Sequence, residues 1–177
     1  MSKLLSKKTI LQTRAFDIFE TEIQLSSGKK VTYNFADLGE STMIVPIDND
    51  NNVVLIKEYA QTLDQMQVGL PKGSIEKGLT PEENANKELQ EETGFKAGRL
   101  DELGIFTITP NYIKLKTHIF LARDLVESKL KGDEEEEIEV MPCSLEKIEK
   151  LIESGEINEA RVIAAIYLAK KFLSKQI

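Results

Sequence analysis

Apolar residues along this chain recur in two ways, every second position in some stretches and every third or fourth in others, and the two periods predict strands and helices. Residues 16–25 and 29–35 read as strands on either side of Ser26-Ser27-Gly28, which has the composition of a hairpin turn. Met43 to Pro46 and Val53 to Tyr59 are two further strands, joined by a turn-forming run from Asp48 to Asn52. Strand-like segments follow at about 99–109 and 115–123, with another near 138–142. Helical stretches close the chain at about 144–154 and 157–174. In the second of these, Val162, Ala165, Ile166, Ala169 and Phe172-Leu173 fall on one side of a helix. Strands interleaved with a few long helices predict a layered α/β or α+β domain.

The sharpest local signal lies between residues 70 and 95. Thr80 is a good N-cap, Pro81 suits the first helical position, and Glu83 completes a capping box with Thr80. Gly94 then supplies the stop. With the start set, Glu88 and Glu92 lie one turn apart on one side, and Glu91 sits beside them. Ala85 and Leu89 form an apolar stripe for the core. Acidic helix faces are usually just solvated. Carboxylates crowded this closely repel one another, however, and a hard divalent cation relieves that repulsion because it seeks oxygen ligands. The pattern therefore nominates Glu88, Glu91 and Glu92 as a metal site at a loop–helix junction.

Composition narrows the class. A chain of 177 residues with 41% hydrophobic content suits a single core. No apolar run has the length of a membrane span, and the start lacks the apolar segment of a signal peptide. Cys143 is the one cysteine, so no internal disulfide forms, and a cytoplasmic setting is expected. Net charge of −7 argues against a nucleic-acid surface. It does not argue against a phosphate ligand, since bound cations reverse the local field. Lys57, Lys72, Lys114 and Lys116 are candidates to meet phosphate oxygens, and Tyr112 to stack on a base or ribose. His118 stands without spaced partners and is given no role.

Gly73, Glu88, Leu89, Glu91, Glu92, Gly94 and Phe95 fall on the positions of the Nudix box, G-x5-E-x7-R-E-U-x-E-E-x-G-U, where U is a bulky apolar residue. The chain thus resembles the Nudix hydrolases. Leu79 departs from the pattern where the box has Glu, and Lys87 where it has Arg. The resemblance implies an α/β/α sandwich around a mixed sheet. It also implies Mg²⁺ or Mn²⁺ held chiefly by Glu88 and Glu92, helped by Glu91 and the backbone carbonyl of Lys72. On this reading the residues at 79 and 87 would form a supporting ion pair that is lost as a unit. Weaker support of the ligands is expected, rather than loss of metal.

Further similarity, in Met43-Ile-Val-Pro-Ile-Asp, Ile56-Lys-Glu-Tyr-Ala60, Thr109-Pro-Asn-Tyr112 and Asn158-Glu-Ala-Arg161, extends the resemblance to the ADP-ribose pyrophosphatase-like group and its ADP compounds hydrolases. That group implies hydrolysis of the pyrophosphate of ADP-ribose, NADH and diadenosine di- and triphosphates, with release of AMP. In the group, a catalytic Glu precedes the final strand–helix unit. Aligning on Ile138 places it at Glu134, within the run Asp133 to Glu137, and places a neighbouring ligand at Glu136. The consecutive glutamates leave that register open by a residue or two. Glu134 is the expected general base, Glu91 shares in catalysis, and Lys57, Tyr112 and Lys114 are expected to bind substrate. The resemblance further implies a homodimer through residues 1–40, an amino-terminal strand region attached to a hydrolase domain over 41–177. Two other readings stay open: a sugar-nucleotide pyrophosphatase of the GDP-mannose type, and a degenerate domain that binds nucleotides without cleaving them.

Overall fold

The structure, a computed structural model, describes residues 1–132 and 138–175 of the chain. Its strands are β1 (Lys3–Gln12), β2 (Asp17–Gln24), β3 (Lys30–Pro46), β4 (Val53–Ala60), β5 (Gln65–Gly69), β6 (Lys72–Ser74), β7 (Phe95–Phe106), β8 (Ile113–Glu127) and β9 (Glu139–Cys143). The helices are α1 (Pro81–Thr93), α2 (Leu145–Glu153) and α3 (Ala160–Leu173). The chain divides into two compact units, one of Met1–Glu40 with Thr107–Thr117 and one of Ser41–Phe106 with His118–Ile177, and β3 and β8 contribute to both.

In the first unit β1 pairs antiparallel with β2, and β2 with the first half of β3. The turn after β2 falls where the Ser-Ser-Gly signal placed it, closed by Leu25 N–H donating to the Lys29 carbonyl at 2.8 Å. The resemblance puts β1 in an amino-terminal strand region, but the apolar pattern did not mark it out as a strand. All of its residues are exposed, so it carries no buried, period-two face to read.

The second unit holds the core. Along β3, β4 and β8 successive side chains enter two different apolar clusters, as the alternation of a pleated strand requires. Met43, Val45, Val53, Leu55, Ile119 and Leu121 pack with Ile148 and Leu151 of α2 and with Val162, Ala165, Ile166 and Ala169 of α3. Ile44, Val54, Phe120 and Ala122 pack with Ala85 and Leu89 of α1. Helices therefore cover both sides of the strands, in the α/β/α layering that the Nudix resemblance implies. Cys143 is buried in the larger cluster, and burial raises its thiol pKa.

Three strands, β5, β4 and β9 in that order, form a sheet of their own, and β6 pairs with the second half of β3. Short β5 and β6 escaped the sequence reading for want of length. Each fully buried Leu or Ile contributes about 1.5–3 kcal/mol. Leu89 and Ala85, both 0% exposed, thus fix the rotation of α1 and with it the direction of its acidic edge.

Candidate active site

Helix α1 begins as its sequence dictates. Thr80 has extended φ and ψ and accepts from the Glu83 N–H, and the Thr80 N–H donates to Glu83 at 2.8 Å. Gly94 ends the helix in the left-handed region, at φ 79°, and its N–H donates to the Gln90 carbonyl. Between these stops one side of the helix is buried along a broad arc. The arc is apolar at Leu89 and Ala85 and turns acidic through Glu92, Glu88 and Glu91.

Glu88, Glu91 and Glu92 are only 9%, 8% and 5% exposed. A solvated acidic face is therefore the wrong description of this helix. Buried carboxylates are costly unless paired or bound to cations. Each of these three is held by a different donor. Glu92 accepts the Lys72 main-chain N–H at 2.9 Å. Glu88 accepts from the Asn84 side-chain amide at 3.3 Å. Glu91 pairs with the ammonium of Lys87. Among the described residues no three such groups are gathered closely enough to form a ligand cluster.

The electrostatics favour a cation nonetheless. Burial pushes the Glu92 carboxyl up to about 8, against the opposing pull of the Lys72 ammonium and N–H, and Glu58 and Glu88 add to the rise. A carboxyl so reluctant to ionise is one whose anion lacks enough positive charge nearby. A divalent cation supplies that charge, and oxygen donors are what Mg²⁺ and Mn²⁺ select. The donor set therefore fits the ion that the motif implies.

Gly73 adds a steric argument. A Cβ built on it would lie 2.1 Å from Glu88 Oε1 and 2.2 Å from its carboxyl carbon. The backbone of β6 thus passes directly against the Glu88 carboxylate, and only glycine permits that approach.

Three residues of this site were not read from the sequence. Glu58 on β4 is ion-paired with the Lys72 side chain, so that lysine faces a carboxylate. Asn84, wholly buried, donates to Thr42 Oγ1 at 3.1 Å as well as to Glu88, and accepts the Glu76 N–H at 3.0 Å. Glu76 lies 3.1 Å from the Lys87 ammonium. The Glu58–Lys72 and Asn84–Thr42 contacts join residues far apart in sequence and leave no local signal. The Glu76 contact gives Lys87 an acidic partner although position 79 is Leu. Burial alone would lower the Lys87 pKa, but hydrogen bonds to Glu91 and Glu76 outweigh it and hold it above the usual lysine range.

The remaining candidates lie elsewhere. Lys57 sits on β4 between Val68 of β5 and Glu139 of β9. Tyr112 and Lys114 lie together in the first unit, on a cavity of about 780 Å³ that Lys7, Tyr33 and Phe35 also line. There Lys114 pairs with Asp37 at 2.7 Å. Burial opposes ionisation of Asp37, but the Lys114 bond, the Gly39 N–H and Lys7 outweigh it and keep the carboxyl below its ordinary range. Lys116 pairs with Glu40 at 3.2 Å, and His118, nearly buried, lies 3.2 Å from Glu102. Glu134 and Glu136, expected as base and further ligand, lie outside the described residues. Among the described residues no helix is long and apolar enough to cross a membrane.

Comparison with known proteins now bears on this geometry. The family model for the NUDIX domain matches residues 37–166. The chain is 35% identical to the ADP compounds hydrolase NudE of Escherichia coli (strain K12), over 99% of this chain and 98% of that protein. It is 31% identical to an ADP-ribose pyrophosphatase of Bacillus subtilis (strain 168), over 96% of this chain and 93% of that one. A solved structure described as a crystal structure of ADP compounds hydrolase superposes with a TM-score of 0.90 at 33% identity, covering 99% of this chain and 95% of the other. A box motif with buried glutamates, a matching fold and relatives along the whole chain lead to one conclusion: the chain belongs to the Nudix family of hydrolases.

Proposed function

We propose that this hydrolase cleaves the pyrophosphate bond of ADP-containing nucleotides, ADP-ribose, NADH and diadenosine di- and triphosphates among them, and releases AMP. The observation that carries the reading is the burial of Glu88, Glu91 and Glu92 on one arc of α1, in a chain whose full-length relatives are named for ADP compounds and ADP-ribose.

Glu88 and Glu92 would hold Mg²⁺ or Mn²⁺, with Glu91 and the backbone carbonyl of Lys72 completing the set and Glu136 adding a ligand. When bound, such a cation neutralises charge on the diphosphate and makes the attacking water easier to deprotonate. The chain's own groups do the rest. Asn84 orients the Glu88 carboxylate, and the Lys72 N–H orients that of Glu92. Glu134 is assigned the proton of the water, and Glu91 assists at the reacting phosphate. Lys57, Tyr112 and Lys114 are assigned to the nucleotide. The Lys114–Asp37 pair does not hinder that role, because an exposed pair is worth only about 0–1 kcal/mol and exchanges readily for phosphate.

The departures at Leu79 and Lys87 do not favour a domain that only binds, because Lys87 keeps two acidic partners. The test is release of the nucleoside monophosphate with Mg²⁺ present: AMP from ADP-ribose, NADH and diadenosine diphosphate, GMP from GDP-mannose. Cation-dependent AMP release from the first three is expected. Turnover of GDP-mannose alone, or of none, would overturn the reading.

A homodimer built through the 1–40 region, in a cytoplasmic enzyme, belongs to the same proposal, with residues from 16–35 reaching the partner's site. Strand β1 supports it, since Leu4, Ile10 and Leu11 stand 55%, 51% and 52% exposed on a strand that pairs with β2. Proteins seldom leave such an edge bare. Light scattering at micromolar concentration is expected to give roughly twice the 19.9 kDa chain mass. A monomer would defeat the dimer.

A further inference from the structure

We propose that Glu76 is a positioning residue that takes over the duty of the acid missing at position 79, steering Lys87 so that Glu91 stays available to a cation. The inference rests on the reading of Glu88, Glu91 and Glu92 as the cation's ligands, and concerns a residue that the box pattern leaves unspecified.

The local backbone explains how an acid three positions early reaches the same lysine. The Leu79 N–H donates to the Glu76 carbonyl at 3.1 Å, closing a turn over residues 76 to 79. Gly78 occupies its third position at φ +98°, a conformation that strains any residue with a side chain. The turn folds the chain back so that Glu76 lies beside α1. It is pinned there twice: its N–H donates to the buried Asn84 side chain at 3.0 Å, and its carboxylate lies 3.1 Å from the Lys87 ammonium. The same Asn84 amide donates to Glu88, so one buried side chain ties the Glu76 turn to a ligand carboxylate.

Charge then decides what the contact does. Lys87 is a single ammonium facing two carboxylates, the buried Glu91 and the half-exposed Glu76. A divalent cation and that ammonium compete for the Glu91 carboxylate. With Glu76 present, the lysine's charge is shared, and Glu91 keeps more of its own for the cation. With Glu76 neutral, the ammonium is committed to Glu91 alone, and cation affinity falls. Arginine could serve two acids through separate edges of its fork, but lysine has one compact donor, so the position of the second acid matters more here.

The test is Mn²⁺ binding to the full-length protein without substrate, read by electron paramagnetic resonance, together with kcat and KM for AMP release. Glu76→Gln is expected to weaken Mn²⁺ binding about 3- to 10-fold, toward the lower end of supporting contacts because Glu76 is half exposed. It should lower kcat at limiting metal, leave KM for the nucleotide within about twofold, and leave Tm without metal unchanged. Leu79→Glu alone should change little, whereas Leu79→Glu in the Glu76→Gln background should restore Mn²⁺ binding to within about twofold. Unaltered Mn²⁺ binding in Glu76→Gln overturns the role of Glu76. So does a Leu79→Glu gain equal in both backgrounds, since additivity means the two acids do not serve one lysine. A parent protein that binds no Mn²⁺ overturns the cation site itself, which is a separate and recognisable failure.

Discussion

Glu92→Gln is expected to lower AMP release by roughly 100-fold or more at any Mg²⁺ concentration, and to make the metal-free protein more stable than its parent at pH 8. Both effects come from one carboxylate. A neutral amide is a poor donor to a hard cation, and loss of a direct ligand should exceed the 10–100-fold typical of contacts that only support one. The stability gain follows from the cost of keeping Glu92 ionised in a buried site beside Glu58 and Glu88. Glutamine has the shape of the protonated form and carries no such cost. It also retains an oxygen to accept the Lys72 N–H, so the fold should be undisturbed.

In the folded protein the Glu92 pKa is pushed up to about 8, from an ordinary 4.5. Between those values the folded state holds more protons than the unfolded one, so stability falls as pH rises through the window. The penalty is absent below the unfolded value and complete above the folded one. At about 1.4 kcal/mol per pKa unit it is on the order of a few kcal/mol. Melting curves in EDTA should therefore separate Glu92→Gln from the parent at pH 8 and bring them together near pH 4.5. Added Mg²⁺, which binds the ionised carboxylate, should raise the parent's Tm more at pH 8 than at pH 5. Coincident parent and variant curves at pH 8 in EDTA would show that Glu92 carries no such burden, and near-parental activity would remove it from the ligand set.

What made this helix legible is that its signals are local. Thr80, Pro81 and Glu83 act within one turn at the start of α1 and Gly94 acts on the turn that ends it, so both limits could be placed from residues alone, and the carboxylate spacing followed. The apolar run from Val53 to Ile56 was legible because β4 is buried on both sides there, and the helical spacing from Val162 to Leu173 because burial on one side imposes a period. Strand β1 has no buried side and left no period to find. The support of the site was hidden for a different reason. Glu58 meets Lys72, and Thr42 meets Asn84, only after strands and helix are packed, and a polar residue in a helix reads as surface until the fold buries it. Asn84 shows this most clearly: by spacing alone it is an ordinary polar position, yet it is 0% exposed and bonded to a loop, a strand and a ligand. Glu76 was missed because the motif directs attention to position 79, while a turn decides which acid arrives.

Gly73→Ala should cost the enzyme about 100-fold or more in kcat/KM while leaving a folded protein, because the new methyl and the Glu88 carboxylate need the same space. The closest approach would be 2.1 Å, well inside any tolerable contact. Strand β6 is held by its pairing with β3, so the backbone has little freedom to withdraw. The Glu88 side chain is the part that can yield, and yielding takes its carboxylate off the Asn84 amide and away from Glu92. Overpacking of this kind costs about 1–3 kcal/mol in stability, a moderate drop in Tm, whereas displacing a ligand removes the interaction on which catalysis depends. A double-mutant cycle separates the two. In a Glu88→Ala background the space beside residue 73 is empty, so Gly73→Ala should no longer lower Tm, and the two changes should fall far short of additive in kcat/KM. Independent, additive losses would mean that alanine at 73 disturbs β6 by some route other than Glu88, and the close approach would then have no bearing on the ligand's position.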